Sequence, residues 1–154
     1  MISRFLVLLV ALGLTACATA PGVQRVSAGA TVDIASAGTQ LSVQRAGGGM
    51  IRPLSHSPAL QAAAQAQADD LAAANRLDHI GADGSTLSER LQRAGYVACA
   101  AAENVARGRS DIRSTIADWM ASPDHRANIM SPQMTQFGFA GTSDTWVLVL
   151  ARPC

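Results

Sequence analysis

The sequence predicts an α+β domain folded as a three-layer α-β-α sandwich, a small antiparallel sheet held between helices. Three observations carry that reading. A long helical run opens at Ser57-Pro58. Two apolar strand patterns close the chain, Gln136 to Ala140 and Thr145 to Leu150, separated by the turn cluster Gly141-Thr142-Ser143-Asp144. In the last pattern Trp146, Leu148 and Leu150 alternate with Val147 and Val149, so both faces are apolar and both need cover.

Composition sets the outer bounds. The chain has 154 residues, 49% of them hydrophobic and 15% charged, with a net charge of +1. That suffices for one domain with a real core and is too apolar for a disordered chain. The near-zero net charge, the absence of lysine and 4% aromatics argue against the basic, ring-bearing surface that nucleic acid requires.

Met1 to Cys17 reads as a targeting segment. Arg4 precedes an apolar run of ten residues, Phe5 to Leu14. Spanning a membrane takes about 20 such residues, so the run fits a signal-peptide core. It ends in Leu14-Thr15-Ala16-Cys17, which resembles the lipobox of bacterial lipoproteins. The resemblance implies that residues 1–16 are removed and that Cys17 carries lipid. An ordinary signal cleaved near Ala16 to Ala20 is the alternative. Ala18 supplies no aspartate retention signal, which points to the outer membrane, facing the periplasm. The expected membrane contact is therefore the N-terminal lipid.

Export changes the reading of the other cysteines. Cys99 and Cys154 remain as an even pair in an oxidising compartment. A disulfide between them would restrict the unfolded chain by roughly 4 kcal/mol and would pin a terminus that otherwise frays. Two free buried thiols are the rival reading. A two-cysteine metal site is weaker, because no Cys-x-x-Cys pair is present.

Residues 17–42 are small and polar and read as a tether of low structure. Val32 to Ile34 and Leu41 to Val43 are its two candidate short strands, and Gly47-Gly48-Gly49 punctuates the entry to the domain. Ser57 caps the first helix and Pro58 opens it. Leu60, Ala64, Ala68, Leu71 and Asn75 recur at helical spacing, and the run extends to Asp78, about 30 Å of helix. His79 falls just beyond it. Thr86-Leu87-Ser88-Glu89 is a capping box for a shorter helix ending at Gly95. Glu103 to Ala106 reads as a short strand. Ser110 or Asp111 caps a helix carrying Ile112, Ile116 and Trp119, with Trp119 in the core. Ser122-Pro123-Asp124 begins a helical turn through His125 to Met130. There Arg126 is expected to pair with Asp124 or Asp118, and Asn128 to satisfy backbone groups.

The order of features from Val43 to Leu150 resembles the CAP (SCP) superfamily of cysteine-rich secretory, antigen-five and pathogenesis-related proteins. The resemblance rests on Arg52-Pro53-Leu54, His79 with Asp83-Gly84, Arg90 to Gly95-Tyr96, and Glu103-Asn104 with Gly108. Trp119-Met120-Ala121-Ser122-Pro123-Asp124-His125-Arg126-Ala127-Asn128-Ile129-Met130, Gly138 and the Trp146 strand complete it. It implies the same sandwich and places the domain at 43–154. It also implies a cleft shared by two histidines and two acids. Matched by position, the histidines are His79 and His125 and the first acid is Glu103. The second acid falls on Ser122, and Ala102 stands where the family has a glycine. Asp124, Glu89 and Asn104 are the neighbours that would assist.

Two imidazoles and a carboxylate form the ligand set of an open zinc site, or an acid–base pair without metal. Read one at a time, the same residues have plainer roles. His79 suits a helix C-terminus, His125 a hydrogen-bonded surface turn, and Glu103 a partner for backbone amides. The favoured function is a non-enzymatic binding module of the cell envelope, taking a lipid, small molecule, protein or weakly held zinc at His79, Glu103 and His125. The alternative is a metal-dependent hydrolase acting on peptide or cell-wall material. No catalytic residue is assigned, since Ser122 lacks a demonstrated histidine contact.

Overall fold

In the computed structural model, residues 32–154 are described. The apolar leader, Cys17 and the first part of the expected tether lie outside the described residues. The elements in order are α1 (Ile34–Gly47), β1 (Ser55–His56), α2 (Pro58–Ala73), α3 (Leu87–Arg93) and β2 (Ala98–Arg107). They are followed by α4 (Ile112–Ala121), α5 (Pro123–Ile129), β3 (Gln136–Thr142) and β4 (Thr145–Pro153).

The strands lie in the order β1-β3-β4-β2. β4 is central and antiparallel to both neighbours, while the two-residue β1 joins β3 in parallel. The doubly apolar pattern of β4 has the consequence expected of it. Trp146, Leu148 and Leu150 enter a core with Ala37 and Leu41 of α1, Ile112, Ile116 and Trp119 of α4, and Ile129 of α5. Val147, Val149 and Ala151 enter a second core with Leu60, Ala64, Ala68 and Leu71 of α2 and Leu91 of α3. This is the three-layer sandwich, with Trp119 packed edge-on against Phe139 and its indole N–H donating to the Val105 carbonyl.

Caps follow the sequence closely. Ser57 precedes Pro58 at the start of α2, Thr86 and Glu89 form a reciprocal capping box on α3, and Asp111 accepts from the Ser114 amide at 2.9 Å. Cys99 and Cys154 form a disulfide between the start of β2 and the end of β4.

Three readings are corrected. The segments Val32 to Ile34 and Leu41 to Val43 are not strands. Helix α1 runs through this region, capped by Asp33, and its residues Ala37, Leu41 and Arg45 are buried at fourfold spacing. The folded domain therefore reaches back into residues assigned to a tether ending at 42. Helix α2 stops at Ala73 instead of continuing to Asp78. Asn75 turns into the left-handed region (φ 47°), and the Arg76 amide closes on the Leu71 carbonyl. Arg107 then holds the Leu71 and Arg76 carbonyls and the Asn75 side chain, so the helix end is fastened to β2. Finally, Arg126 pairs with neither acid. It reaches the Met120 carbonyl, and Asp118 is taken by Arg109. Among the described residues no helix is long and apolar enough to cross a membrane.

Candidate functional site

β2 is an edge strand, and consecutive residues on it project into opposite helical layers. Glu103 is in register with Val149 and faces the layer of α2 and α3. Asn104 is in register with Leu148 and faces α4 and α5. The Glu-Asn pair thus addresses both layers from one point.

On the first face Glu103 is buried and both its oxygens are engaged. Oε2 accepts from Arg90 Nη2 at 2.6 Å, and Oε1 lies 3.0 Å from His79 Nδ1. Arg90 is as buried as Glu103, with side-chain exposure of 3% for each. The same guanidinium donates through Nη1 to the carbonyls of His79 (3.2 Å) and Ser85 (2.9 Å). His79 itself is 57% exposed. A buried arginine and glutamate therefore support an exposed imidazole.

On the second face Asn104 is wholly buried. Its amide donates to the His125 carbonyl at 3.0 Å, and its Oδ1 accepts from Asn128 at 2.8 Å. Asn128 also approaches the Glu103 carbonyl, as a backbone-satisfying role requires. The main chain of each histidine is thereby tied to a side chain next to, or on, the Glu103-Asn104 step. Burial lowers the proton affinity of His125 below that of an ordinary imidazole. The nearby His79 lowers it further, and Asp124 partly opposes both. The two imidazoles, one from each layer, lie within electrostatic reach of each other.

The remaining expected neighbours fall outside this set. Asp124 is exposed in the first turn of α5, and Ser122 begins α5 without a side-chain cap bond. Glu89 is committed to the Thr86 capping box, whose hydrogen bonds hold its carboxyl below the usual range. His56 lies at the opposite sheet edge. There it meets Phe137 edge-on and borders an open groove of about 700 Å³ between α1 and β1.

Among the described residues no three His, Cys, Asp or Glu side chains are arranged to hold a metal ion. Glu103 already spends one oxygen on a guanidinium and the other on His79, so it stands behind the imidazole as an orienting partner. What remains open is Nε2 of His79 and the ring of His125. Arg90 is the site residue that sequence reasoning passed over. Its signal was present: Arg90 shares an α3 face with Leu87, Leu91 and Ala94, and a charge on an apolar helix face needs a buried partner.

A sandwich whose edge strand joins one histidine from each helical layer through a Glu-Asn pair defines the class. The chain belongs to the cysteine-rich secretory protein (CAP) family, whose pattern matches residues 45–147. It is 28% identical over 88 residues to an uncharacterized protein of Bacillus subtilis, YkwD. That match covers 57% of this chain and 34% of the relative, so the chain spans about a third of that protein's length. Among solved structures it resembles an SCP-domain extracellular protein of Bacillus anthracis, with TM-score 0.73, 23% identity and coverage of 77% of this chain and 39% of the other. An outer surface protein of Borrelia burgdorferi gives TM-score 0.70 at 16% identity, covering 81% of this chain and 98% of its own.

Proposed function

We propose that the protein is an exported, lipid-anchored binding module of the cell envelope that uses the His79 and His125 imidazoles without catalysing a reaction. The observation that carries this reading is the buried Arg90–Glu103 pair behind an exposed His79. Burying two charges is costly, and here the outcome is an imidazole held in place at the surface. The disulfide, the apolar leader with its Leu-Thr-Ala-Cys end, and the extracellular and surface descriptions of two structural relatives support export.

The residues present fit a small ligand, or a divalent ion held by two imidazoles, better than a closed metal centre. His79 and His125 would contact the ion and Glu103 would orient His79 from behind. Such an ion would act as a Lewis acid toward whatever else binds. With two protein ligands the affinity is low, and zinc suits imidazole nitrogen better than magnesium or calcium. Among the described residues no hydroxyl or thiol is hydrogen-bonded to either histidine, and both described cysteines are spent in the disulfide. That favours binding over nucleophilic chemistry.

Two measurements test the proposal. Mass spectrometry of the native N-terminus should show an acylated Cys17, and an unmodified mature end at Ala18 or later would remove the anchor. Calorimetry should show weak zinc binding near neutral pH that is lost at about pH 5, where imidazoles protonate, and absent in the His79→Ala His125→Ala variant. No heat at either pH, or binding unchanged in that variant, would remove the metal.

A further inference from the structure

We propose that Arg90 is the positioning residue of this site: it fixes the orientation of the Glu103 carboxylate and, through it, the tautomer of His79. His79 then carries its proton on Nδ1 and presents an unprotonated Nε2 at the exposed side of the ring. The inference deepens the binding reading above, but it stands on contacts that exist without any ligand.

The geometry leaves little freedom. Arg90 donates to Glu103 Oε2, the His79 carbonyl and the Ser85 carbonyl, at 2.6, 3.2 and 2.9 Å. One guanidinium therefore holds both the main chain that bears His79 and the carboxylate that faces its ring. Glu103 has one oxygen held by Arg90, and its other oxygen lies 3.0 Å from His79 Nδ1. A carboxylate only accepts. A neutral His79 must therefore place its proton on Nδ1 to satisfy the contact, which leaves a lone pair on Nε2. The free side chain prefers the opposite tautomer, so the site reverses the intrinsic choice. The exposures run in the same direction: 3% for Arg90 and for Glu103, 57% for His79. Fold stability alone gives no reason for such a pair, since a buried ion pair is weak evidence of stabilisation.

A neutral isostere at position 103 separates orientation from mere packing. In Glu103→Gln, Arg90 keeps its demand for an acceptor and draws the amide oxygen toward itself. The amide NH2 then faces His79 Nδ1, which must now accept, so the ring proton moves to Nε2. In Arg90→Met Glu103→Gln nothing orients the amide, and both tautomers should be populated. Nitrogen-15 spectra of the full chain, taken in chelator at about pH 8, above the ordinary imidazole range, read this directly. In the wild-type protein the Nδ1 resonance is expected at the protonated, pyrrole-type position. It should shift to the unprotonated, pyridine-type position in Glu103→Gln and to an intermediate one in the double variant. Arg90→Lys, which keeps a charged donor, should retain the wild-type position. A wild-type His79 protonated on Nε2, or a folded Glu103→Gln protein still protonated on Nδ1, would overturn the proposal. Neither result depends on whether zinc binds, so the tautomer and the ligand reading fail separately.

Discussion

At the scale of single residues, the two histidines differ because their surroundings differ. His125 is partly buried on α5, and burial, aided by His79, disfavours its charged form. Its proton affinity in the folded state therefore lies below that of the unfolded chain, near the ordinary value of about 6.5. Below that pH the unfolded state binds the proton first, so stability falls as pH drops from about 6.5 toward the folded value and is complete above it. An NMR titration should show His125 protonating below the ordinary imidazole range. His79→Gln should move that titration upward, because it removes the neighbour that opposes protonation of His125, and Asp124→Asn should move it downward. A His125 titration unchanged by both substitutions would contradict the electrostatic account. The sequence made His79, Glu103 and His125 legible as a set through their family positions. It did not make their connections legible. Arg90 and Glu103 are thirteen residues apart, and their contact exists only once α3 has packed against β2. The pairing of Glu103 was hidden for the same reason, since its contacts to a guanidinium on one side and an imidazole on the other exist only in the folded protein.

Among the elements, α1 is the one that local signals misstated. Gly38, Thr39, Ser42 and Val43 are poor helix formers, and the segment reads as a tether by composition. Burial overrides propensity here: Leu41 is fully enclosed in the core with Ile116, Trp119 and Phe137. The clue was the fourfold spacing of Ala37, Leu41 and Arg45. Arg45 donates to the Ile129 carbonyl at 2.6 Å and to the Ser131 carbonyl at 3.0 Å, fastening α1 to the end of α5. Leu41→Ala should cost about 2–5 kcal/mol in urea unfolding. Ile51→Ala, at a side chain 96% exposed, should stay within about 0.5 kcal/mol. Equal effects from the two would mean that α1 is not part of the cooperative core. A second element-level test concerns the seat of α2 on the sheet. A Cβ at Gly138 of β3 would fall on the Leu60 and Gln61 backbone, which has no flexible side chain to yield. Gly138→Ala must push α2 away from β3 and should cost at least about 3 kcal/mol, at the upper end of overpacking effects. Near-wild-type stability would show that the helix can lift without loss.

For the molecule as a whole, the last strand was the most legible part, because two apolar faces on one strand admit few arrangements other than a middle layer. The disulfide acts at the same scale. Cys99 and Cys154 join the start of β2 to the chain end, 55 residues apart in sequence. In the folded sheet these ends are already neighbours: Ala98 pairs with Pro153, and the Cys154 amide donates to the Val97 carbonyl at 3.1 Å. The bridge therefore adds little to native packing, and its effect falls on the unfolded chain, whose loop it closes. Reduction, or Cys99→Ala Cys154→Ala, should lower unfolding stability by about 4 kcal/mol on the chain-entropy account. The folded spectrum should be unchanged, because Glu103 lies further along β2 on a ladder that continues to Arg107. The measurement is urea unfolding of oxidised and reduced protein, with the His79 nitrogen signals recorded in each. An unchanged midpoint would deny the bridge its role in the unfolded state. A lost His79 signature in folded, reduced protein would instead make the bridge a support of the site.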